Sequence, residues 1–347
     1  MPNVAGGLTY RSACADAAED LRCEFISNPQ RLYEIEKDWC ELWSSLSNAT
    51  PFQSPDWLLP WWKHYGEGEL FSFAFWVNGK LVGLAPMQIF RSPSEPMRKV
   101  FLLGTGNSDY MDVVFDPACQ SQCSGALISE IRNRSDCWDV CCWQRLRPGS
   151  PMLKDIADGV GLRMEVQEEG PCVAIDLHDL GHGAVLLRRS RNYAGRLRRV
   201  HPYSVEEASA ENLEEFSQAL ERLHQQRWRA EGCRGVLSCR RDRSFHRAVA
   251  SRFLNARRLM FYGIRMAGKL IAVIYGFRAC DSIYSYLSGF DPEYAQKSVG
   301  SITIGHAMQR AIESGYKAFD FLQGQEPYKY TWGAKDLPCF ARTIHKA

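Results

Sequence analysis

Two segments of the chain share one pattern of apolar and polar positions. Residues 75–86 read FWVNGKLVGLAP, and residues 263–276 read GIRMAGKLIAVIYG. Each places two largely apolar arms on either side of a short turn at Gly-Lys, which is typical of a β-hairpin with a buried second arm. The pattern therefore predicts one hairpin in each half of the chain.

The residues after each hairpin repeat as well. VVFDP (113–117) and LSGFDP (287–292) each end an apolar run at a proline, which cannot donate a hydrogen bond to a neighbouring strand. The next predicted elements are a helix and a short apolar strand, at 123–134 and 138–143 in the first half and at 300–315 and 317–322 in the second. The second helix has one apolar face, and Gly315 is placed to cap its C-terminus.

Two amphipathic helices are predicted before each hairpin. In the first half they cover 31–46 and 54–66, where Ser54 is an N-cap and Pro55 takes the first helical position. In the second half they are marked by apolar residues at helical spacing: Leu213, Phe216, Leu220 and Leu223, then Phe245, Val249 and Phe253. Each half thus follows the order strand, helix, helix, three strands, helix, strand, which indicates a duplication.

The length of 347 residues is consistent with two domains. We expect an N-terminal domain at 1–150, a connecting region at 151–200 and a C-terminal domain at 201–347. A short helix at 152–161 and strands at LRMEVQ and CVAIDL are predicted in the connecting region, followed by RRSRNYAGRLRRV. This arginine cluster is either a solvated helix or a docking face for an anionic acceptor or for the phosphopantetheine arm of a carrier.

Composition narrows the class of protein. The net charge of +2 argues against general nucleic-acid binding. No apolar run reaches the roughly 18 residues of a membrane helix, and the first residues do not follow the pattern of a signal peptide. The cysteine count of 13 is odd, which favours reduced thiols and a cytoplasmic location. Cysteine spacing and the scattered histidines indicate no metal site, so Cys137, Cys141 and Cys142 in the stretch CWDVCCW are interpreted as apolar residues of a buried strand.

A polar and aromatic stretch follows the last predicted strand. Residues 319–333 read FDFLQGQEPYKYTWG. Asp320 alternates with apolar neighbours on the strand, and Gly324 ends it. If the next residues are extended, Tyr328, Tyr330 and Trp332 lie on one side and could form an aromatic wall, with Lys329 and Thr331 on the other.

The element order resembles the Gcn5-related N-acetyltransferase (GNAT) fold in tandem. More closely, the chain resembles acyltransferases found with cellulose and exopolysaccharide biosynthesis genes, which are relatives of Fem-type peptidyltransferases. The resemblance covers about residues 22–340 and rests on PFQSPDWLLPWW (51–62), LLGTGNSDYMDVVFDP (102–117) and the stretch at 319–333. It implies an α/β fold of two GNAT-like domains, each a mixed β-sheet flanked by helices.

The resemblance also implies an acyl donor at the start of the helix in the second domain. An acyl-CoA would place its pyrophosphate on the helix N-terminus, where backbone N–H groups are unsatisfied. The expected donor contacts are Ser288, Gln296, Lys297, Gly300 and Ser301. Three residues separate the glutamine from the glycine where the family has two, so a plain capped helix start is the alternative. The loop at 116–125 has no basic residue, and we expect that copy to have lost the donor site.

Catalytic residues are inferred from the same likeness. Fem-type proteins carry a lysine after the last strand that acts near the reacting carbonyl and the phosphates, and Lys329 matches it; a lysine on a solvated edge is the alternative. Tyr328 is a candidate acid for the leaving thiolate, Glu326 a candidate base or a surface-loop residue, and Asp320 an orienting carboxylate. The expected substrate contacts are Gln53, Trp57, Asp109, Tyr110 and Trp332, with a solvated turn as the alternative for Asp109 and Tyr110.

The sequence thus predicts an N-acyltransferase that uses acyl-CoA as co-substrate, or an acyl-carrier thioester, and an amine on a small molecule or an envelope or exopolysaccharide precursor. A sugar hydroxyl is the next acceptor class. Two alternatives stay open: a non-catalytic binding or scaffold protein in polysaccharide biosynthesis, and a Fem-like aminoacyl-tRNA-dependent transferase. An acyl carrier protein is a further candidate partner, and both a monomer and a homodimer are compatible with the sequence.

Overall fold

The structure is a computed structural model, and it describes residues 8–10, 21–154, 161–230, 232 and 235–346. The chain divides into two compact units. The first runs to Gly170 and also takes in the segment from Pro338, and the second is Pro171–Leu337. Most of the helix predicted at 152–161 lies outside the described residues.

The first unit combines antiparallel pairing with one parallel pair of strands. Its elements are β1 (Leu8–Tyr10), β2 (Leu21–Ile26), α1 (Pro29–Glu34), α2 (Glu36–Ser45), α3 (Pro55–Tyr65), β3 (Glu69–Leu70), β4 (Ser72–Val77), β5 (Lys80–Ala85), β6 (Met87–Ser92), β7 (Glu95–Leu102), β8 (Val114–Phe115), α4 (Gln120–Asn133), β9 (Val140–Leu146) and the first part of β10 (Leu162–Asp176). The strand order is β1-β2-β4-β5-β8 in one sheet, while β9-β7-β6-β3 are neighbours in another. Only β7 and β9 pair in parallel among these described strands.

The second unit has a similar order of helices and strands, with fewer strands. Its elements are the second part of β10, α5 (Gly183–Val200), β11 (Tyr203–Glu207), α6 (Leu213–Ala230), α7 (Arg240–Asn255), β12 (Leu259–Met266), β13 (Lys269–Ala279), β14 (Ser282–Phe290), α8 (Val299–Glu313), β15 (Ala318–Gln323), α9 (Pro327–Thr331) and the start of β16 (Lys335–Lys346). The strand order is β11-β12-β13-β14-β15-β10, in which β14 and β15 are parallel.

Helices cover both faces of the second sheet. Successive side chains of a strand point to opposite faces of its sheet. On β12, Phe261 packs on Phe216 of α6 with ring centroids 5.2 Å apart, while its neighbour Tyr262 packs on His306 of α8 at 5.1 Å. On the α8 side, Leu187 and Leu197 of α5 join buried residues of the sheet and α8. The predicted fold class, α/β with mixed sheets flanked by helices, is confirmed.

Both predicted hairpins are present, with their turns one residue earlier than expected. The turn residues are Asn78-Gly79 and Ala267-Gly268, with φ angles of 50° and 80° in the first pair and 48° and 77° in the second. Two successive positive φ angles are the signature of the type I′ turn, whose twist matches that of the flanking strands. The lysine of each predicted Gly-Lys turn instead begins the next strand.

Most predicted helices and strands are confirmed, including the Ser54 cap, whose Oγ accepts the N–H of Trp57 at 3.2 Å. The helix predicted at 31–46 is broken at Ile35 into α1 and α2. The strands predicted at LRMEVQ and CVAIDL are one strand, β10, and the arginine cluster is part of α5. Of the cysteines near β9, Cys141 is buried as expected, whereas Cys137 is exposed.

A β-bulge on β14 governs the shape of the second sheet. Tyr275 pairs with Leu287 and the adjacent Gly276 pairs with Ser285, so Tyr286 is an extra residue on β14. Bulges bend a strand and end its regular pairing. The parallel register between β14 and β15 ends just before it, at Tyr284 and Asp320. Beyond the bulge the two strands diverge, and the last residues of β14 lie beside a gap in the sheet.

The bulge requires a residue without a side chain on β13. A Cβ atom at Gly276 would lie 2.1 Å from the carbonyl oxygen of Tyr284 and 2.9 Å from Cε of Met260. We expect Gly276→Ala to lower the free energy of unfolding by about 1–3 kcal/mol, the usual range for overpacking. Gly195→Ala on α5 is the matched control, because a Cβ there meets nothing within 4 Å and alanine favours a helix. Urea denaturation of the three proteins checks this, and equal midpoints would contradict it.

Candidate functional site

A cavity of about 540 Å³ lies beside the last residues of β14, beyond the point where β14 stops pairing with β15. Its walls come from five elements of the second unit and from the residues that flank them. The lining residues are Leu186 and Tyr193 of α5; Val273 and Ile274 of β13; Ser288, Gly289 and Phe290 of β14; Ser298, Gly300, Ser301, Thr303 and Ile304 at the start of α8; and Tyr328, Thr331 and Trp332 at α9. None of these described lining residues is charged.

The N-terminus of α8 opens into this cavity. Ser298 precedes the helix in the left-handed region, with φ 55°, and its side chain makes no capping hydrogen bond. The first amides of a helix have no carbonyl partner within it, and they carry a partial positive charge. Gly300 packs closely, since a Cβ there would lie 3.2 Å from the ring of Phe290. The cavity thus combines apolar walls with backbone N–H donors and hydroxyl groups at the start of α8.

The predicted donor residues divide into two groups. Ser288, Gly300 and Ser301 line the cavity. Gln296 and Lys297 are in the 3-10 helix before α8, Pro292–Lys297, and are not among its lining residues. The Lys297 Nζ lies 2.9 Å from Nε2 of His201 and 4.9 Å from the ring centroid of Tyr294. This 3-10 helix and the left-handed Ser298 accommodate the extra residue between Gln296 and Gly300.

The segment after Gly324 is helical, so the prediction of an extended aromatic wall is wrong. Pro327 begins α9 in a first-turn position that proline favours. Tyr328 and Trp332 are four residues apart and line the cavity, whereas Tyr330 faces outward. The Tyr330 hydroxyl donates to Oδ1 of Asp336 at 2.6 Å, and this hydrogen bond is the main cause that raises the pKa of Tyr330.

Lys329 is buried and held by its own turn. Its Nζ donates to the carbonyl oxygens of Gln323 at 2.7 Å and Gly324 at 3.0 Å, and it lies 2.9 Å from Oε2 of Glu326. The side chain is only 4% exposed, so the alternative of a lysine on a solvated edge is excluded. Lys329 is not a lining residue of the cavity. The three oxygens satisfy the ammonium and fix the turn that carries Tyr328 and Trp332.

Asp320 orders the end of β15, as its position on a buried strand predicts. Its Oδ1 accepts the backbone N–H of Leu322 at 2.7 Å, and Leu322 has a φ of 62°. A buried carboxylate that accepts a backbone N–H offsets part of its desolvation. Gly324 continues the turn at φ 104°, where a Cβ would meet the carboxylate of Glu326. Asp320, Gly324 and Glu326 therefore shape the same turn that Lys329 clamps.

The residues predicted to contact substrate in the first unit lie together and are largely buried. Gln53 Nε2 donates to the backbone oxygen of Tyr110 at 3.1 Å, and Trp57 Nε1 donates to Oγ of Ser108 at 2.9 Å. The backbone oxygen of Asp109 accepts from Nε of Arg145 at 3.2 Å. These contacts join the 104–112 loop to α3, to the 3-10 turn before it and to β9. Trp332, the fifth predicted substrate contact, lines the cavity of the second unit.

Several lining residues were not predicted from the sequence. Tyr193 lies within the arginine cluster and Leu186 just before it, although Leu186, Ser190, Tyr193 and Leu197 recur at helical spacing and mark the inner face of α5. Phe290 and Thr303 flank predicted residues on β14 and α8. Within the described residues, no group of three or more His, Cys, Asp or Glu side chains could hold a metal ion. The helices described are all too short or too polar to cross a bilayer.

Comparison with known protein families gives one match, and it lies in the second unit. Residues 186–330 match the profile of the acetyltransferase (GNAT) domain. This part of the chain is therefore similar to a GNAT acetyltransferase domain. This match ends within α9 and includes every cavity wall except the last two lining residues, Thr331 and Trp332. No curated protein matches the chain.

Solved structures extend the fold similarity over most of the chain. The crystal structure of FemX aligns with a TM-score of 0.63 and 12% identity, covering 90% of this chain and 96% of FemX. The C-terminal domain of a putative lysylphosphatidylglycerol synthetase from Agrobacterium fabrum aligns at 0.55 and 14%, covering 90% and 92%. The L-PGS of Bacillus licheniformis aligns at 0.53 and 11%, covering 91% of each chain. At these identities the likeness shows the fold alone.

The contacts of the Lys329 ammonium are expected to stabilise the protein. Lys329→Met leaves two partly buried carbonyls and a carboxylate without their cation, and we expect the free energy of unfolding to fall by about 1–3 kcal/mol. Lys335→Met is the control, because Lys335 is exposed on β16. Urea denaturation of both variants measures the difference. An unchanged midpoint for Lys329→Met would show that the turn holds without the ammonium.

Proposed function

We propose that the protein is an N-acyltransferase that moves an acyl group from a thioester, carried by CoA or a carrier protein, to an amine. The observation that carries this proposal is the cavity at the diverging ends of β14 and β15 beside the start of α8, within the GNAT domain. The helix start supplies N–H donors for phosphate oxygens. The apolar walls suit an acyl chain and its pantetheine arm.

Acyl transfer to an amine requires two proton transfers and a donor for the carbonyl oxygen. The amine nitrogen attacks the thioester carbonyl, a C–N bond forms, the C–S bond breaks, and the sulfur leaves as a thiolate. The attacking amine gives up a proton to a base or a water chain, and the thiolate takes one up. Negative charge develops on the carbonyl oxygen, which needs a donor placed in advance. Backbone N–H groups of β14 beyond the bulge are candidates for that donor, because β15 has diverged from them.

The candidate side chains have different proposed roles. Tyr328 lines the cavity and is a candidate acid for the thiolate. Lys329 and Asp320 act through the turn that places Tyr328 and Trp332, so we propose them as positioning residues of the catalytic site, with Lys329 contacting the carbonyl only if the turn rearranges. Glu326 stays a candidate base, and it is shared with the Lys329 clamp. Ser288 and Ser301 contribute hydroxyl groups to the donor site.

The first domain is proposed to serve the acceptor. Gln53 and Trp57 fix the 104–112 loop, which contains Asp109 and Tyr110, so their effect on an acceptor would come through that loop. A small molecule or an envelope or exopolysaccharide precursor with a free amine is the proposed acceptor class, in a cytoplasmic reaction. The division into a donor domain and an acceptor-side domain belongs to the proposal, as does the link to polysaccharide synthesis.

The donor site is tested by placing a charge in it. We expect Gly300→Glu to weaken the binding of acetyl-CoA at least about tenfold, because a carboxylate at the helix start repels the phosphates. Gly300→Ala separates this effect from the contact of a Cβ with Phe290. Gly125→Glu on α4, where a Cβ meets nothing within 4 Å, is the control in the first unit. Calorimetry measures all four proteins, and equal losses at both glycines would overturn the single donor site.

The reaction class is tested by following the thiol. Purified protein is incubated with acetyl-CoA or octanoyl-CoA and a panel of amino sugars, amino acids and matched hydroxyl-only compounds. We expect CoA release to require an amine and to be absent with the matched hydroxyl-only compounds. Tight CoA binding with no thiol release on any acceptor would favour the scaffold alternative.

A further inference from the structure

The outer surface of α5 carries an uncommon concentration of positive charge. The helix has 18 residues, of which six are arginine and none is acidic, and all six arginines are exposed. Its inner face is committed to packing, with Leu187 and Leu197 buried against the sheet and Ser190 against Gly305 of α8. A helix with this charge imbalance does not contribute stability through its outer face, because like charges at helical spacing repel.

Four of the arginines form a stripe without a side-chain partner among the residues that the structure describes. Arg191 hydrogen-bonds Gln309, and Arg198 stacks over Tyr203 at 5.3 Å. Arg188, Arg189, Arg196 and Arg199 make no ion pair or side-chain hydrogen bond with the described part of the chain. At 3.6 residues per turn these four lie within about 100° of one another, and the stripe is about 16 Å long.

The stripe lies next to the α5 residues that line the cavity. Leu186 and Tyr193 line the cavity from α5. Arg189 and Arg196 follow these residues by three positions each, and residues three apart are neighbours on a helix surface. Two unpaired guanidinium groups therefore adjoin the α5 wall of the cavity, and two more continue the stripe beyond it.

We propose that this arginine stripe docks an acidic acyl carrier protein, which delivers its acyl group on a phosphopantetheine thioester into the cavity. The inference rests on the proposed acyltransferase function. The phosphates of free CoA would be held at the start of α8, whereas a straight stripe on the outside of a helix fits an extended anionic surface. Arginine pairs with carboxylates in two-pronged contacts, so an acidic helix of a partner protein is complementary to it.

The cavity distinguishes this partner from a tRNA, whose backbone would also suit an arginine stripe. An aminoacyl ester carries an ammonium group next to the reacting carbonyl. The described lining residues include no carboxylate to receive it, and burying an unpaired ammonium is costly. An uncharged acyl chain meets no such cost. The same walls thus favour an acyl thioester over an aminoacyl ester.

The test compares two double variants of the full chain that change the same charge. Arg189→Glu/Arg196→Glu reverses the part of the stripe beside the cavity. Arg240→Glu/Arg257→Glu reverses two exposed arginines at the two ends of α7, which packs with α6. The probes are octanoyl-loaded acyl carrier protein, octanoyl-CoA and alanyl-tRNA, with affinities measured by calorimetry or biolayer interferometry.

We expect the first double variant to weaken carrier binding about tenfold or more and octanoyl-CoA binding less than about twofold, and the second to change neither by more than about twofold. Octanoyl-CoA binding without carrier binding would overturn the docking proposal alone. The absence of both would overturn the acyltransferase proposal as well. Equal losses in the two double variants would show a general charge effect, and a stripe-dependent affinity for alanyl-tRNA in place of the carrier would identify an RNA partner.

A second measurement uses the unaltered protein, so it does not depend on whether a variant folds. In the unaltered protein, raising the salt from about 50 to about 300 mM should weaken carrier binding about tenfold, because exposed charge pairs are screened. Octanoyl-CoA, with fewer exposed contacts, should lose distinctly less. A carrier affinity that does not depend on salt would contradict docking on the arginines.

Discussion

The parting of β14 from β15 is the constraint on which the second unit depends. Two parallel strands that paired along their whole length would close the sheet and leave no room for a ligand. The register ends at Tyr284 and Asp320, and the bulge at Tyr286 turns the rest of β14 away. The cavity beside the last residues of β14 is lined by the start of α8, the inner face of α5 and the short helix α9.

Where two strands of a sheet diverge, their backbone N–H and C=O groups lose the neighbouring strand as a partner. These groups need other hydrogen-bond partners. At the end of β15, Asp320 accepts the N–H of Leu322, and Lys329 binds the carbonyls of Gln323 and Gly324. Charged side chains thus supply hydrogen bonds that a neighbouring strand would otherwise provide at the end of β15. The arrangement explains why a carboxylate, a glycine and a lysine are interspersed among aromatic residues directly after an apolar strand.

Local patterns in the sequence predicted much of the fold, because hairpin turns, helix caps and apolar periodicity depend on residues close in the chain. The β6–β7 hairpin was missed since Pro93 and Pro96 interrupt its alternation. The helix α9 was taken as extended because five residues are too few to show a helical period. The burial of Lys329 and the role of Tyr193 in the cavity result from packing between distant elements, which a single sequence does not display.

The route of the chain between the units has a consequence for synthesis. The first unit ends with β16, whose Phe340–His345 segment pairs with β9, yet the whole second unit, Pro171–Leu337, lies between them in the sequence. A ribosome therefore finishes the second unit before it releases the last strand of the first. Until then β9 exposes an unpaired edge, which is a site for misassociation during folding. The second unit can therefore complete its strands before the first does, although the first begins earlier in the chain.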